Sequence, residues 1–114
     1  MLTFERLRNV NVERCQEAFH PLVAWSLSDW ACAMAGEAGE ACNVVKKYRR
    51  YQDGTNTAKD PQTVDEIRDA LAAELADTII YADLLAARAG IDLGEAVRAK
   101  FNAVSELRNV PHRL

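Results

Sequence analysis

Glu37 and Glu40 stand three residues apart in the stretch Met34-Ala35-Gly36-Glu37-Ala38-Gly39-Glu40-Ala41, and Glu74 and Asp77 repeat that spacing further along the chain. At roughly 100° per residue, such a pair lies about 60° apart on one helix face. Two pairs on two helices can bring four carboxylates to one point, the all-oxygen ligand set that hard divalent cations such as Mg²⁺ or Mn²⁺ prefer. Without a cation, four such groups repel one another or take up protons. The alternative is four ordinary solvated acids, since most Glu and Asp side chains face water. The first pair carries a further signal. Adjacent like charges weaken an isolated helix, and each interior glycine costs about 1 kcal/mol against alanine. Small residues at 35, 36, 38 and 39 leave the backbone bare beside the carboxylates, so a partner helix or a ligand can approach closely.

Helices must position these groups. Residues 1–9 read as a lead-in, followed by a helix over 10–19 with Asn9 or Asn11 as N-cap and Val12, Cys15, Ala18 and Phe19 at helical intervals. His20-Pro21 ends it, because the residue before proline is pushed out of the α region; His20 reads as a partner of the helix dipole before it reads as a ligand. A second helix spans 28–51, with Ser26 or Ser28 as N-cap and Trp30, Met34, Glu37, Ala41, Val44 and Tyr48 recurring with its period. Trp25 and Trp30 are core anchors or, in a sharper reading, platforms on which a base stacks. Lys46, Lys47, Arg49 and Arg50 complement the dipole at the helix end, and a phosphate-facing role for one of them stays open.

Residues 52–63 are polar and rich in turn formers, and read as a mobile surface loop, either a connector or a flap. A third helix covers 64–89 and stops at Gly90, with Ile67, Leu71, Leu75, Ile79, Ala82 and Leu85 as its apolar stripe. Glu74, Asp77 and Tyr81 share a second face beside that stripe. A fourth helix covers 93–107, with Asp92 and Glu95 in capping-box positions and Val97, Phe101 and Val104 turned inward. Lys100, Asn102 and Arg108 add cation and amide groups, or simply a solvated face. The tail from Asn109 reads as extended.

At 114 residues the chain fits a single domain, 1–114, with a modest core. An apolar share of 49% and a charged share of 27% are those of a globular protein, and the absence of strand signals makes it an all-α, four-helix-bundle-type fold. A net charge of −3 argues against a nucleic-acid backbone as main partner. No apolar run approaches the roughly 20 residues that span a bilayer, and no apolar signal core follows the N-terminus, so no membrane partner is expected. Cys15, Cys32 and Cys42 lack CxxC spacing and read as reduced thiols of a cytoplasmic protein, a pattern that does not point to zinc. Neither His20 nor His112 follows a glutamate by three residues, which leaves a di-metal redox bundle without support.

Taken together, Gly36-Glu37-x-x-Glu40 followed by Glu74-x-x-Asp77 resembles the ExxE and ExxD pattern of the MazG-like nucleoside triphosphate pyrophosphohydrolases, relatives of the dimeric dUTPases and dCTP pyrophosphatase. Trp25, Lys46-Lys47, Asp77-Thr-Ile-Ile-Tyr81, Ala89-Gly-Ile-Asp-Leu93 and Lys100-Phe-Asn102 extend the resemblance over residues 22 to 108. It implies a MazG-like helical domain completed by oligomerisation as a homodimer or homotetramer. It also implies Glu37, Glu40, Glu74 and Asp77 as Mg²⁺ ligands (Mn²⁺ serving as well), with Glu37 or Glu40 orienting water. Tyr81 and Asn102 would touch the sugar or base, Lys100 and Lys47 the phosphates, and Trp25 or Trp30 would stack on the base. The implied reaction is metal-dependent hydrolysis of a nucleoside triphosphate, a dNTP or non-standard nucleotide, to the monophosphate and pyrophosphate. Two departures stand out. The spacer between the pairs is longer than usual, which the 52–63 loop explains, and Ser105, Glu106 and Leu107 precede Arg108 where the family often carries an earlier arginine. The competing expectation is a catalytically silent helical oligomerisation or regulatory module of the same fold.

Overall fold

A computed structural model describes all residues from Met1 to Leu114. The chain is all-helical and has no strand: α1 spans Phe4–Ala18, a 3₁₀ turn Leu22–Ala24, α2 Leu27–Asp53, α3 Val64–Arg88 and α4 Leu93–Leu107. None of the helices is long and apolar enough to cross a membrane. Two compact units are present, one of Met1–Leu27 with Asp83–Leu114 and one of Ser28–Ala82, and α3 runs through both.

Local chemistry sets most helix ends. The first helix begins at Phe4, earlier than the expected start near residue 10, because Thr3 is its N-cap and accepts a hydrogen bond from the Arg6 N–H at 3.0 Å. Asn11 is no cap; it is a buried residue of α1. Thr63 Oγ1 caps α3 by accepting from Glu66 N–H at 3.1 Å, while Glu66 reaches back to the Gln62 N–H at 2.7 Å. Asp92 accepts from Glu95 N–H at 3.0 Å and caps α4 as expected. Gly54, Gly90 and Asn109 close α2, α3 and α4 in the left-handed region, with φ of 72°, 71° and 55°. Past each, an N–H turns back to the last helical turn: Thr55 to Arg50 O, Ile91 to Ala86 O and Val110 to Ser105 O.

In the unit formed by the two ends of the chain, α1 packs on α4 and on the 3₁₀ turn. At the α1–α4 crossing Gly94 is pressed on Phe4, whose Cβ would lie 2.9 Å from any Cβ added to the glycine. Asp83 is fully buried and holds this unit's polar centre. One of its oxygens takes Arg8 Nε at 3.0 Å and the other Asn11 Nδ2 at 3.0 Å, while Arg8 Nη2 also reaches Ile91 O at 2.8 Å.

The loop between α2 and α3, expected to be mobile, is tied down instead. Asp60, itself buried, accepts from both Nε and Nη2 of Arg50 and from Thr57 N–H, and Gln62 Nε2 bridges the carbonyls of Thr57 and Asp60. The Arg50 fork, then the Thr57 N–H, hold the Asp60 carboxyl well below the usual carboxylate range.

Not every expected apolar stripe is covered. Ile67 is buried, but Leu75 and Ile79 are 52% and 50% exposed. On α4 the expected inward residues Val97, Phe101 and Val104 are all exposed, because the helix turns Gly94 and Ser105 toward its unit's interior.

Removing the Asp83 carboxylate leaves two buried-side donors, on Arg8 and Asn11, without their acceptor. Asp83→Ala is expected to destabilise the protein by about 3 kcal/mol, the scale for breaking a buried charge pair, and Asp83→Asn by less; denaturant unfolding with an unchanged midpoint in Asp83→Ala would contradict this.

Candidate metal centre

The acids occupy the middle of a two-helix seam. Trp30, Glu37 and Val44 recur at seven-residue intervals on α2, and Ile67, Glu74 and Tyr81 do so on α3. Seven residues turn a helix through about 700°, so each trio stays close to one line along its helix. The two segments run antiparallel. Tyr81 therefore meets Trp30, ring centroids 6.2 Å apart and tilted by 50°, and Glu74 meets Glu37. Val44 and Ile67 are buried toward the loop end. A charged layer thus lies between an aromatic layer and an aliphatic one.

Asp77 completes the cluster. One carboxylate oxygen each from Glu37, Glu74 and Asp77 lie within 4.8 Å of one another, with Glu37 and Glu74 half-buried and Asp77 exposed. Glu37 carries the strain of this arrangement. Burial first, then the charges of Asp77, Glu74 and Glu40, push its carboxyl above the ordinary range. Glu40 is exposed and outside the converging three, although its charge reaches Glu37. Three carboxylates so spaced are a ligand set that a hard divalent cation accepts; exposed acids also gather in this way without one.

The other candidates fall in different places. Tyr81 is half-buried, one turn past Asp77. Trp30 is only 2% exposed and packs in the core, so the base-platform reading of that ring loses the open face it needs. Lys47 is half-buried near the end of α2. Trp25, Lys100 and Asn102 belong to the other unit. There the Trp25 ring lies 4.5 Å from that of His20, and Lys100 is exposed amid Val97, Phe101 and Val104. The Asn102 amide is engaged by Leu114, accepting from its N–H at 2.9 Å and donating to its carbonyl at 3.3 Å. Beyond the neighbouring residues and the backbone of its own helix, nothing comes within 4 Å of a Cβ built on Gly36 or Gly39, so the bare backbone beside the acids stays open.

Sequence reasoning passed over the seven-residue register that pairs Glu37 with Glu74, a pattern readable from the spacing alone. It also passed over Asp60 and Asp83, whose partners are set by the fold. The chain matches no known family model, and no curated protein matches it.

A carboxyl whose affinity for protons rises on folding makes the folded chain bind more protons than the unfolded chain between its ordinary value, near 4.5, and its raised one. Stability contributed by Glu37 is therefore lost as pH climbs through that window. Thermal melts of the metal-free protein are expected to show this fall, Glu37→Gln to remove it and to melt higher near neutral pH. A wild-type slope that persists in Glu37→Gln would contradict the assignment.

Proposed function

We propose that this chain is a MazG-like, metal-dependent nucleoside triphosphate pyrophosphohydrolase. The observation that carries the reading is the convergence of Glu37, Glu74 and Asp77 within 4.8 Å, from two i, i+3 acidic pairs in the family's order. The donor set fits the Mg²⁺ or Mn²⁺ that the resemblance implies: all oxygen, anionic, and at the edge of a seam where water and substrate have access. Glu37, Glu74 and Asp77 would hold the ion, which when bound neutralises phosphate charge and lowers the pKa of a coordinated water.

The protein's own groups then have separate tasks. Glu37 and Glu74 lie between the aromatic and aliphatic layers, and through the ion they would position the phosphate chain. Glu40, beside the three and exposed, is the carboxylate left to orient the attacking water and take its proton. Water attacks the α-phosphorus, the bond to the β-phosphate's bridging oxygen breaks, and nucleoside monophosphate and pyrophosphate leave. The Tyr81 ring, one turn beyond Asp77, is the aromatic group nearest in sequence for the nucleoside.

Assembly of copies belongs to the same reading. Val45 on α2 and Leu75 and Ile79 on α3 lie on the side of the hairpin away from Glu40 and Asp77, and each is about half exposed. A second copy covering that side would complete a four-helix core and leave the acids open. The cysteines are all free, in keeping with a reducing cytoplasmic setting.

Pyrophosphate release should be detected from at least one member of a panel of dNTPs and NTPs with Mg²⁺ and vanish with EDTA. Glu74→Gln and Asp77→Asn should each lower it on the order of a hundredfold or more at unchanged helical content by circular dichroism. Full turnover in either variant would refute the ligand set.

A further inference from the structure

The charges and apolar groups of α4 are sorted around its axis. Gly94 and Ser105 turn to the interior of their unit, where Gly94 meets Phe4. Beside them Val97, Phe101 and Val104 line an open groove of about 560 Å³ that is almost wholly apolar, and each is between 37% and 44% exposed. Leu107, 82% exposed, follows one turn on. At roughly 100° per residue, Phe101 lies about 40° from Val97 on one side and Val104 about 20° on the other. Two cations share this stripe: Arg108 lies about 20° from Val97, and Lys100 about 60° from it on the other side. Both are exposed and neither forms an ion pair. Arg98, by contrast, has Glu95 at 3.3 Å. Glu95 and Glu106 stand about 160° and 180° from Val97, on the back of the helix. The open face of α4 is therefore an apolar strip with a cationic rim and no acid.

We propose that this face docks an amphipathic helix of another protein, one whose apolar residues recur at i, i+4 and i+7 with acidic residues on both flanks. A helix suits the surface better than an extended segment. The backbone N–H and C=O groups of α4 are used within the helix, so they offer an extended peptide no ladder to join, whereas a helix arrives with its own backbone bonds made. Apolar anchors at that spacing seat on Val97, Phe101 and Val104, and the flanking carboxylates meet Lys100 and Arg108. The same charges disfavour other occupants. A second copy laid α4 against α4 would gather Lys100 and Arg108 of both chains in one seam without an acid. An anionic lipid surface would be drawn by two free cations alone, against a chain of net charge −3. Docking here needs neither nucleotide nor metal.

Fluorescence anisotropy with two synthetic helical peptides tests the face. Both carry leucines at i, i+4 and i+7; glutamates flank them in one and lysines in the other. The chain is expected to bind the glutamate peptide roughly tenfold or more tighter than the lysine peptide, with the preference shrinking as salt is raised. Phe101→Ala should weaken that binding about tenfold, the scale of one apolar anchor, at an unchanged melting temperature. The double variant Lys100→Glu/Arg108→Glu, altered at exposed positions, should exchange the preference in favour of the lysine peptide. Equal binding of the two peptides by folded wild type, or binding of neither, overturns the proposal. Sedimentation in which Phe101→Asp splits an assembly of wild-type copies would assign the face to a second copy and overturn it as well. So would flotation of wild type, but not of Phe101→Asp, with vesicles of phosphatidylglycerol and phosphatidylcholine, which would assign the face to lipid.

Discussion

Mutual repulsion among carboxylates is the constraint around which the α2–α3 hairpin is built. Glu37 and Glu74 face each other across a helix seam where a stability-driven sequence would place two apolar side chains, and Asp77 joins them. Burial and like charges both oppose ionisation of Glu37, so the layer weakens the hairpin at the place where helices normally gain most from packing. A cation bound there, as the proposed function requires, would remove the penalty and make ligands of the same three groups. Under the proposed activity, the free energy withheld by that repulsion would be available to hold an ion.

Neighbouring layers make that cost tolerable. Trp30 and Tyr81 form one wall of the acidic layer, and buried Val44 and Ile67 lie on its other side. At the loop end, the Arg50–Asp60 fork ties the connection so that the helices leave it in register. Beyond Tyr81, α3 continues into the unit where Asp83, Arg8 and Asn11 form a fully paired polar centre. One helix thus carries two contrasting acid sites. Asp83 is paired with two donors and acts in the architecture, while Glu74 and Asp77 converge with a third acid, Glu37.

Elements whose signals are local were legible in the sequence. Asp92 and Gly90 have cap chemistry that needs no tertiary information, and α4 and the end of α3 fall where those residues put them. The start of α1 was obscured because its first turns mix Glu5, Arg6 and Arg8 with few apolar residues, leaving Thr3 as the sole marker. Apolar periodicity shows that a stripe wants cover but does not name the cover. Leu75, Ile79, Val97 and Val104 therefore read as inward from sequence and stand exposed in the chain. Asp60 looked like a loop residue because nothing periodic relates it to Arg50. The acidic pairs themselves were plain, whereas the distinction between Glu37 in the seam and Glu40 at its edge emerges only when the partner helix is in place.

Calorimetric titration of Mn²⁺ into the metal-free protein addresses the central claim most directly. Saturable binding should appear in wild type and be lost or greatly weakened in both Glu37→Gln and Asp77→Asn. Absence of binding by folded wild type, or equal binding by all three proteins, would show that these acids do not form a cation site.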